Sequence, residues 1–217
     1  MVKMQNEKVY LKEVTRLLKR KYKEEMMTSL HHLNPWELLV ATMLSAQSQD
    51  KQVNKITVNL FKKYKNMDSF SKLKPQQLYP YIGSLGLYRN KAKSIVKTAK
   101  LIKSNFNGQV PRTIEELTTL EGVGRKTANV VLANAFGINE GIAIDTHCIT
   151  VVNRLGLVRT KDPRKIEGKL MGISERREWG NLTHLFISLG RDTCTARVKY
   201  CHRCVLKNIC PSSDARD

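Results

Sequence analysis

Four cysteines near the C-terminus have the spacing of a metal-centre ligand set. They form a C-x6-C-x2-C-x5-C run, at Cys194, Cys201, Cys204 and Cys210. Thiolates at this spacing can surround one compact inorganic core, and the basic residues between them offset its negative charge. The pattern therefore favours an iron-sulfur cluster. Structural zinc is the main alternative, although zinc sites usually pair two C-x2-C knuckles and this run has one. Two disulfides are less favoured, because the chain shows no signal peptide.

A lysine and an aspartate in the middle of the chain are candidates for covalent chemistry. Lys126 falls in the first turn of a predicted helix, where the helix dipole and burial in a cleft would favour a neutral, nucleophilic amine. The alternative is a surface lysine that contacts phosphate. Asp145 is placed to cap the helix that follows it, and a carboxylate there can also stabilise positive charge on a sugar.

The sequence between Thr113 and Phe136 predicts a helix-hairpin-helix. A capping box at Thr113 opens a helix through Leu120, and a second helix follows a short turn. In that turn, Gly122 and Gly124 let the backbone approach a phosphate, while the first N–H groups of the second helix point at the anion. By itself, a Gly-x-Gly turn between helices is a weak signal, and a plain αα-hairpin would be favoured in a less basic chain.

The charge of the chain predicts a polyanionic partner. Lys and Arg total 38 against 19 Asp and Glu, which gives a net charge of +19. Nucleic acid fits best, because no apolar run approaches the roughly 18 residues of a membrane-spanning helix. Aromatic residues make up only 6% of the chain, which disfavours a protein that stacks single-stranded bases on aromatic side chains.

Most of the chain has the sequence signals of α-helices, so helices must position these residues. Asn34 and Pro35 supply an N-cap and a first helical position, and Glu37 adds an acid in the first turn. Strand alternation is nearly absent and the loops are short, so an all-α fold with antiparallel neighbours is predicted. Further helices are predicted at 8–23, 51–64, 91–106, 146–155, 166–171 and 181–189.

The order of the motifs closely resembles that of the endonuclease III family of DNA glycosylases, over nearly the whole chain from Asn34 to Cys210. The motifs are LEGVGRKTANVV at 120–131, IDTH at 144–147, GR at 190–191, LSAQ at 44–47, GLY at 86–88 and the four-cysteine run. The resemblance implies an all-α fold of two helical domains with a DNA-binding cleft between them. A six-helix domain at 28–138 would contain the helix-hairpin-helix, and 1–27 with 139–217 would form the domain that carries a 4Fe-4S cluster.

The same resemblance implies a bifunctional enzyme, a DNA glycosylase with abasic (AP) lyase activity. Lys126 matches the lysine that attacks the deoxyribose C1′, expels the damaged base and leaves a Schiff base that undergoes β-elimination on the 3′ side. Asp145 matches the carboxylate that assists base departure, and Gln47 and Leu87 match residues that fill or wedge the vacated base stack. The remaining implied residues are the DNA contacts Gly122, Gly124, Arg125 and Arg191, and the cluster ligands Cys194, Cys201, Cys204 and Cys210.

The implied partner is duplex DNA that contains damaged pyrimidines or abasic sites, with thymine glycol and 5-hydroxycytosine as substrates of the family. We expect a monomer without a membrane partner, and the short termini predict a prokaryotic cytoplasmic, nucleoid-associated protein.

One departure from the family pattern is Glu121, which stands where relatives commonly have proline. An acid beside the phosphate-binding turn predicts weaker binding. Cys148 and His147 are interpreted as core and packing residues.

Three alternatives can be weighed from single positions. Adenine glycosylases carry a glutamate where this chain has Ala41, and they usually lack the hairpin lysine. Mismatch thymine glycosylases typically have tyrosine in place of Lys126. A non-catalytic DNA-binding module would keep the cysteines and the basic surface but would not need Lys126 and Asp145 together.

Overall fold

The computed structural model describes residues 2–23 and 28–215. The all-α prediction is confirmed, since the regular structure in these ranges is helical apart from an isolated antiparallel bridge between Cys194 and Lys199. The helices are α1 (Val2–Lys21), α2 (Pro35–Ser45), α3 (Asp50–Lys63), α4 (Met67–Ser71), α5 (Tyr79–Ile82), α6 (Tyr88–Asn105), α7 (Ile114–Leu117), α8 (Arg125–Phe136), α9 (Thr146–Arg154), α10 (Pro163–Ile173) and α11 (Trp179–Asp192). None of the described helices is long and apolar enough to cross a membrane.

The chain divides into two units, one formed by Thr28–Ile138 and the other by the described parts of Met1–Met27 with Asn139–Asp217. Residues 1, 24–27 and 216–217 of the expected second domain lie outside the described residues. Each unit buries an apolar cluster of its own. A separate core is the physical property that lets a segment fold as a domain.

Helix α2 is the centre of the Thr28–Ile138 unit. Asn34 Oδ1 accepts a hydrogen bond from the Glu37 N–H at 3.0 Å, and Pro35 occupies the first turn, as the sequence predicts. The helix is buried on all sides from Trp36 to Leu44 because α3, α6 and α8 pack around it. A helix that is apolar all round is typical of the middle of a core.

Two short helices of this unit, α4 and α5, have no counterpart in the sequence-based assignment. With them the described residues of the unit form seven α-helical segments instead of the six that the resemblance implies, and three of these have five residues or fewer. Single turns of this kind carry too few residues for a 3.6-residue apolar period to be recognised.

The helix that opens at Thr113 is shorter than predicted. Its cap forms as expected, since Thr113 Oγ1 accepts from the Glu116 N–H at 3.2 Å. However, the helix ends at Leu117 and does not continue to Leu120. The hydroxyl of Thr118 donates to the Ile114 carbonyl at 2.8 Å, and that of Thr119 donates to Glu116 at 2.7 Å. After Thr118 the backbone N–H groups of Thr119 and Leu120 donate to carbonyls three residues back, those of Glu116 and Leu117, so the i to i−4 ladder ends there.

The second unit contains α1, α9, α10 and α11. Helix α10 begins earlier than the predicted start at residue 166, because Asp162 is its N-cap. Its carboxylate accepts from the Arg164 N–H at 2.9 Å, and Pro163 occupies the first turn. Helix α11 packs against α9 and α1, and their buried faces form the core of the unit.

Candidate active site and metal centre

The turn between α7 and α8 requires glycine at one of its two positions for reasons of backbone geometry. Gly122 has φ +79°, and a Cβ placed there would lie 3.0 Å from Ser94 Cβ and 3.3 Å from Met43 Cε. Both the dihedral angle and the packing disfavour a residue with a Cβ. The turn therefore lies in close contact with α6 and α2.

Gly124 is different, because no described part of the protein requires a glycine there. Its φ is −89°, and a Cβ would meet no atom of the described residues within 4 Å. Gly124 is the N-cap of the twelve-residue helix α8, and it supplies no side-chain cap. The first N–H groups of a helix lack intrahelical partners and attract anions. Open space at an uncapped helix start is suited to a phosphate.

Lys126 lies in the first turn of α8 with its side chain exposed, and Arg125 before it is exposed as well. Ala128, Val131 and Leu132 on the opposite face of the helix are buried in the core. These apolar contacts fix the rotation of α8, so the two basic residues point away from the core.

Asp145 belongs to the other unit and is the N-cap of α9, as predicted. Its Oδ1 accepts from the Cys148 N–H at 2.8 Å, and Oδ2 has no hydrogen bond among the described residues. Cys148 is buried in the core. Next to the aspartate, a Cβ on Gly190 would lie only 2.8 Å from His147 Cβ. Glycine there lets α11 approach the first turn of α9, where Asp145 is held.

Gln47 and Leu87 share an unusual backbone conformation. Both lie in the left-handed region, at φ +55° and φ +57°, and among the described residues Asn107 is the remaining non-glycine residue with positive φ. The Leu87 side chain is 59% exposed, and Gln47 is exposed as well. A leucine with positive φ is strained, and such outliers cluster at ligand-binding sites.

The four cysteines of the C-terminal run line one pocket, together with the basic residues Arg154, Lys199 and Lys207. No disulfide joins them in the described structure. Burial raises the pKa of the Cys204 thiol, and the other three cysteines add to this effect. Within residues 2–23 and 28–215, no three His, Cys, Asp or Glu side chains are arranged to hold a single metal ion.

Sequence reasoning missed Arg154, the last residue of α9. Its guanidinium donates to Cys194 Sγ at 3.3 Å, to the Thr195 carbonyl at 2.6 Å and to the Ala196 carbonyl at 3.1 Å. These bonds attach the segment after Cys194 to α9. The arginine is separated from Cys194 by forty residues, so no local sequence pattern predicts the contact. Arg191, which the resemblance implies as a DNA contact, is exposed in the last turn of α11.

Comparisons with known proteins agree with this architecture. Residues 40–176 match the model of the HhH-GPD superfamily base excision DNA repair proteins. Endonuclease III of Synechocystis sp. is 43% identical over 213 residues, which cover 98% of this chain and 97% of the relative. Endonuclease III of Bacillus subtilis is 44% identical over 189 residues, which cover 87% of this chain and 86% of the relative.

Two solved structures are similar at the level of coordinates. A non-covalent endonuclease III–DNA complex superposes with a TM-score of 0.88 at 40% identity, over 94% of this chain and 95% of the other. A trapped endonuclease III–DNA covalent intermediate gives the same score and identity, over 94% and 96%. The chain therefore belongs to the HhH-GPD superfamily of base excision DNA repair proteins and, within it, to the endonuclease III family.

Proposed function

We propose that this protein is a base excision repair DNA glycosylase with AP lyase activity, which removes oxidised pyrimidines from duplex DNA. Membership of the endonuclease III family and the similarity to a trapped covalent endonuclease III–DNA intermediate support the glycosylase and lyase activities. The observation that carries the proposal on this chain is the start of α8. An exposed lysine, Lys126, lies there two residues after the open space at Gly124.

The start of α8 can be assigned the binding of the substrate and the attack on its sugar. The start of α8 binds a phosphate through backbone N–H groups, which places Lys126 beside a deoxyribose. Its amine nitrogen forms a bond to C1′ while the bond from C1′ to the base breaks, and the base leaves with the electron pair and takes up a proton. Loss of a proton from nitrogen and opening of the sugar ring then give the Schiff base. Removal of a C2′ proton breaks the C3′–O bond on the 3′ side.

Asp145 is proposed as the carboxylate that stabilises positive charge on the sugar. Its Oδ1 is engaged by the Cys148 N–H, which orients the group and leaves Oδ2 for substrate. Gln47 and Leu87 are proposed to fill the space of the extruded nucleotide, since both are exposed on strained loops. Arg125 and Arg191 are proposed as phosphate contacts.

The four cysteines are proposed to bind a 4Fe-4S cluster. The donor set fits, because four thiol groups and three basic side chains line one pocket, and a polynuclear core can be bound by thiolates that do not converge on a single ion. Bound there, the cluster would supply a structural centre that links the C-terminal segments.

The two units are proposed to be the two domains of the family. A monomeric state and a cytoplasmic, nucleoid-associated location remain predictions from the sequence.

Borohydride trapping tests the proposal directly. Wild-type protein should form a covalent adduct with a duplex that contains one thymine glycol and with an abasic duplex, and Lys126→Ala should form neither. Arg125→Ala is the matched control, because it removes a neighbouring charge but keeps the amine, so it should bind more weakly and still be trapped. Trapping on the abasic duplex alone would exclude this lesion as substrate. Tight binding of duplex without any adduct would favour a non-catalytic module.

A further inference from the structure

We propose that Lys91 is a positioning residue that holds the loop of Gln47 and the loop of Leu87 in one arrangement, so that both enter the duplex together. The Gln47 loop is residues 46–49 and the Leu87 loop is residues 83–87. The inference rests on the proposed function, because it assigns to these loops the extrusion of the damaged nucleotide.

The ammonium group of Lys91 is bonded to the Gln47 loop and to the helix before it. It donates to the carbonyl of Leu44 at 2.9 Å and to Oγ of Ser48 at 3.0 Å. Leu44 lies in the last turn of α2, where carbonyls lack intrahelical partners and a cation is favoured by the helix dipole. Lys91 therefore caps α2 at the point where the Gln47 loop leaves it.

The backbone of Lys91 is bonded to the Leu87 loop. Its N–H donates to the carbonyl of Leu87 at 3.0 Å, and Leu87 is the N-cap of α6. A second link joins the Leu87 loop to the start of α3, directly after the Gln47 loop, since the Gln52 side-chain amide donates to the Ser84 carbonyl at 3.0 Å. Lys91 thus contacts both loops. The Gln52 bond holds the Leu87 loop against the start of α3, next to the Gln47 loop.

Burial distinguishes Lys91 from the exposed basic residues that are proposed to contact DNA. Lys91 is only 8% exposed, and desolvation lowers the pKa of its amine. Burying a cationic group is unfavourable unless hydrogen bonds compensate for the lost water, and here the compensating partners are the two atoms of the Gln47 region. The bonds of its ammonium group are directed at the end of α2 and at the Gln47 loop.

The bonds of Lys91 are proposed to hold the strained backbone of Gln47 and Leu87 in place. Gln47 and Leu87 both adopt positive φ, a conformation that persists only where the surroundings over-determine it. Without the ammonium group, the end of α2 and the Gln47 loop lose a shared anchor, and each loop can relax alone. Extrusion of a stacked nucleotide is expected to suffer, whereas chemistry at a site that has already lost its base is expected to suffer less.

The test compares Lys91→Met with wild type under single-turnover conditions on two duplexes, one with thymine glycol and one with a preformed abasic site. Methionine keeps most of the side-chain volume and removes the charge. Excision of the stacked base should slow by about tenfold or more, and cleavage at the abasic site by less than about threefold, since an abasic nucleotide has no base to unstack. Fluorescence of 2-aminopurine placed opposite the lesion should rise when wild type binds and rise less with the variant.

Lys93→Met is the matched control, because Lys93 is exposed on the same helix and its loss removes the same charge. A variant cycle adds a second readout. In a protein that already carries Gln47→Ala and Leu87→Ala, Lys91→Met should cause no further loss of excision, because the residues through which it acts are gone. Should Lys91→Met not fold, Ser48→Ala combined with Gln52→Ala removes one bond to each loop and should give the same difference between the substrates.

The outcomes separate this inference from the proposed function. Absence of excision and trapping by wild type would refute the proposed function. Wild-type activity together with equal excision by the Lys91 and Lys93 variants would refute the role of Lys91. An equal loss on both duplexes, or a further loss in the Gln47→Ala Leu87→Ala background, would also refute it and leave Lys91 a residue of general stability.

Discussion

Glu121 accepts a hydrogen bond from the ammonium group of Lys97, with 2.7 Å between Oε2 and Nζ. Its other oxygen lies 3.4 Å from Ser94 Oγ, and its backbone carbonyl accepts from Thr98 Oγ1 at 3.0 Å. The partners all belong to α6. The acid of the hairpin turn is therefore attached to a neighbouring helix and partly neutralised.

Loss of this pair should expose its electrostatic role. Lys97→Met leaves the Glu121 carboxylate unpaired next to the hairpin, so we expect affinity for undamaged duplex to fall by about threefold more than in Lys100→Met, which removes an exposed charge from the same helix. Adding Glu121→Gln to Lys97→Met should restore affinity to the level of the Lys100 variant. Fluorescence anisotropy at low salt measures all four proteins. Equal affinities of the two lysine variants would contradict this account.

The two glycines of the hairpin should respond differently to alanine. Gly122→Ala forces a positive φ on a residue with a Cβ and crowds Ser94, so the free energy of unfolding should fall by about 1–2 kcal/mol or more. Gly124→Ala meets no protein atom and should change stability by less than about 0.5 kcal/mol. A methyl group in the phosphate space should nevertheless weaken duplex binding. Urea unfolding and anisotropy on both variants separate the effects, and unaltered binding by Gly124→Ala would place the phosphate elsewhere.

The metal content decides the nature of the cysteine site. Purified protein should be brown and contain four irons and four sulfides per chain, as the 4Fe-4S assignment requires. Cys204→Ser should lose the cluster and much of the folded C-terminal segment, because one ligand is missing and this residue is central to the pocket. Elemental analysis with visible absorption measures the content. Stoichiometric zinc without iron would overturn the assignment, and Cys148→Ser, at a buried cysteine outside the pocket, should keep the cluster.

Arg154 should control how long a bound cluster survives. Its guanidinium binds Cys194 Sγ and the next two carbonyls, so Arg154→Met frees the first ligand segment. We expect bleaching of the visible absorption in air to be about threefold faster or more than in wild type. Arg159→Met, at an exposed arginine five residues later, is the control and should bleach at the wild-type rate. Identical rates for both variants would show that the segment needs no such anchor.

The elements that local chemistry specifies were predicted from the sequence. Asn34, Thr113 and Asp145 each cap a helix, as predicted, because a capping side chain and its N–H partner lie three residues apart. Boundaries were wrong where i to i−3 backbone bonds replace the helical ladder, as after Thr118. The start of α10 at Pro163 was missed, although an aspartate followed by proline is the pattern of a helix start.

Contacts between distant parts of the chain could not be predicted. Lys91 binds a carbonyl 47 residues away, and Arg154 binds a thiol 40 residues away. Both residues look like ordinary basic surface positions in a chain of net charge +19. The sequence also gives no indication of the left-handed backbone of Leu87. Leucine rarely adopts this conformation, and only the packed fold imposes it.

Asp145 combines a structural and a proposed chemical role, and two substitutions can separate them. Asp145→Asn keeps a side-chain oxygen that can accept from the Cys148 N–H, so the cap and stability should be retained. Without a carboxylate, excision of thymine glycol should slow by about a hundredfold, the order of loss found when a transition-state charge partner is removed.

Asp145→Ala should lose the same activity and, in addition, about 1 kcal/mol of stability, because α9 then starts without a cap. Asp162→Ala supplies the comparison, since it removes the matching N-cap from α10 in the same unit without touching the proposed chemistry. It should lose stability and retain excision. Single-turnover kinetics measure the excision rate of the three variants, and urea unfolding measures their stability. Excision at the wild-type rate by Asp145→Asn would reduce Asp145 to a helix cap and remove it from the mechanism.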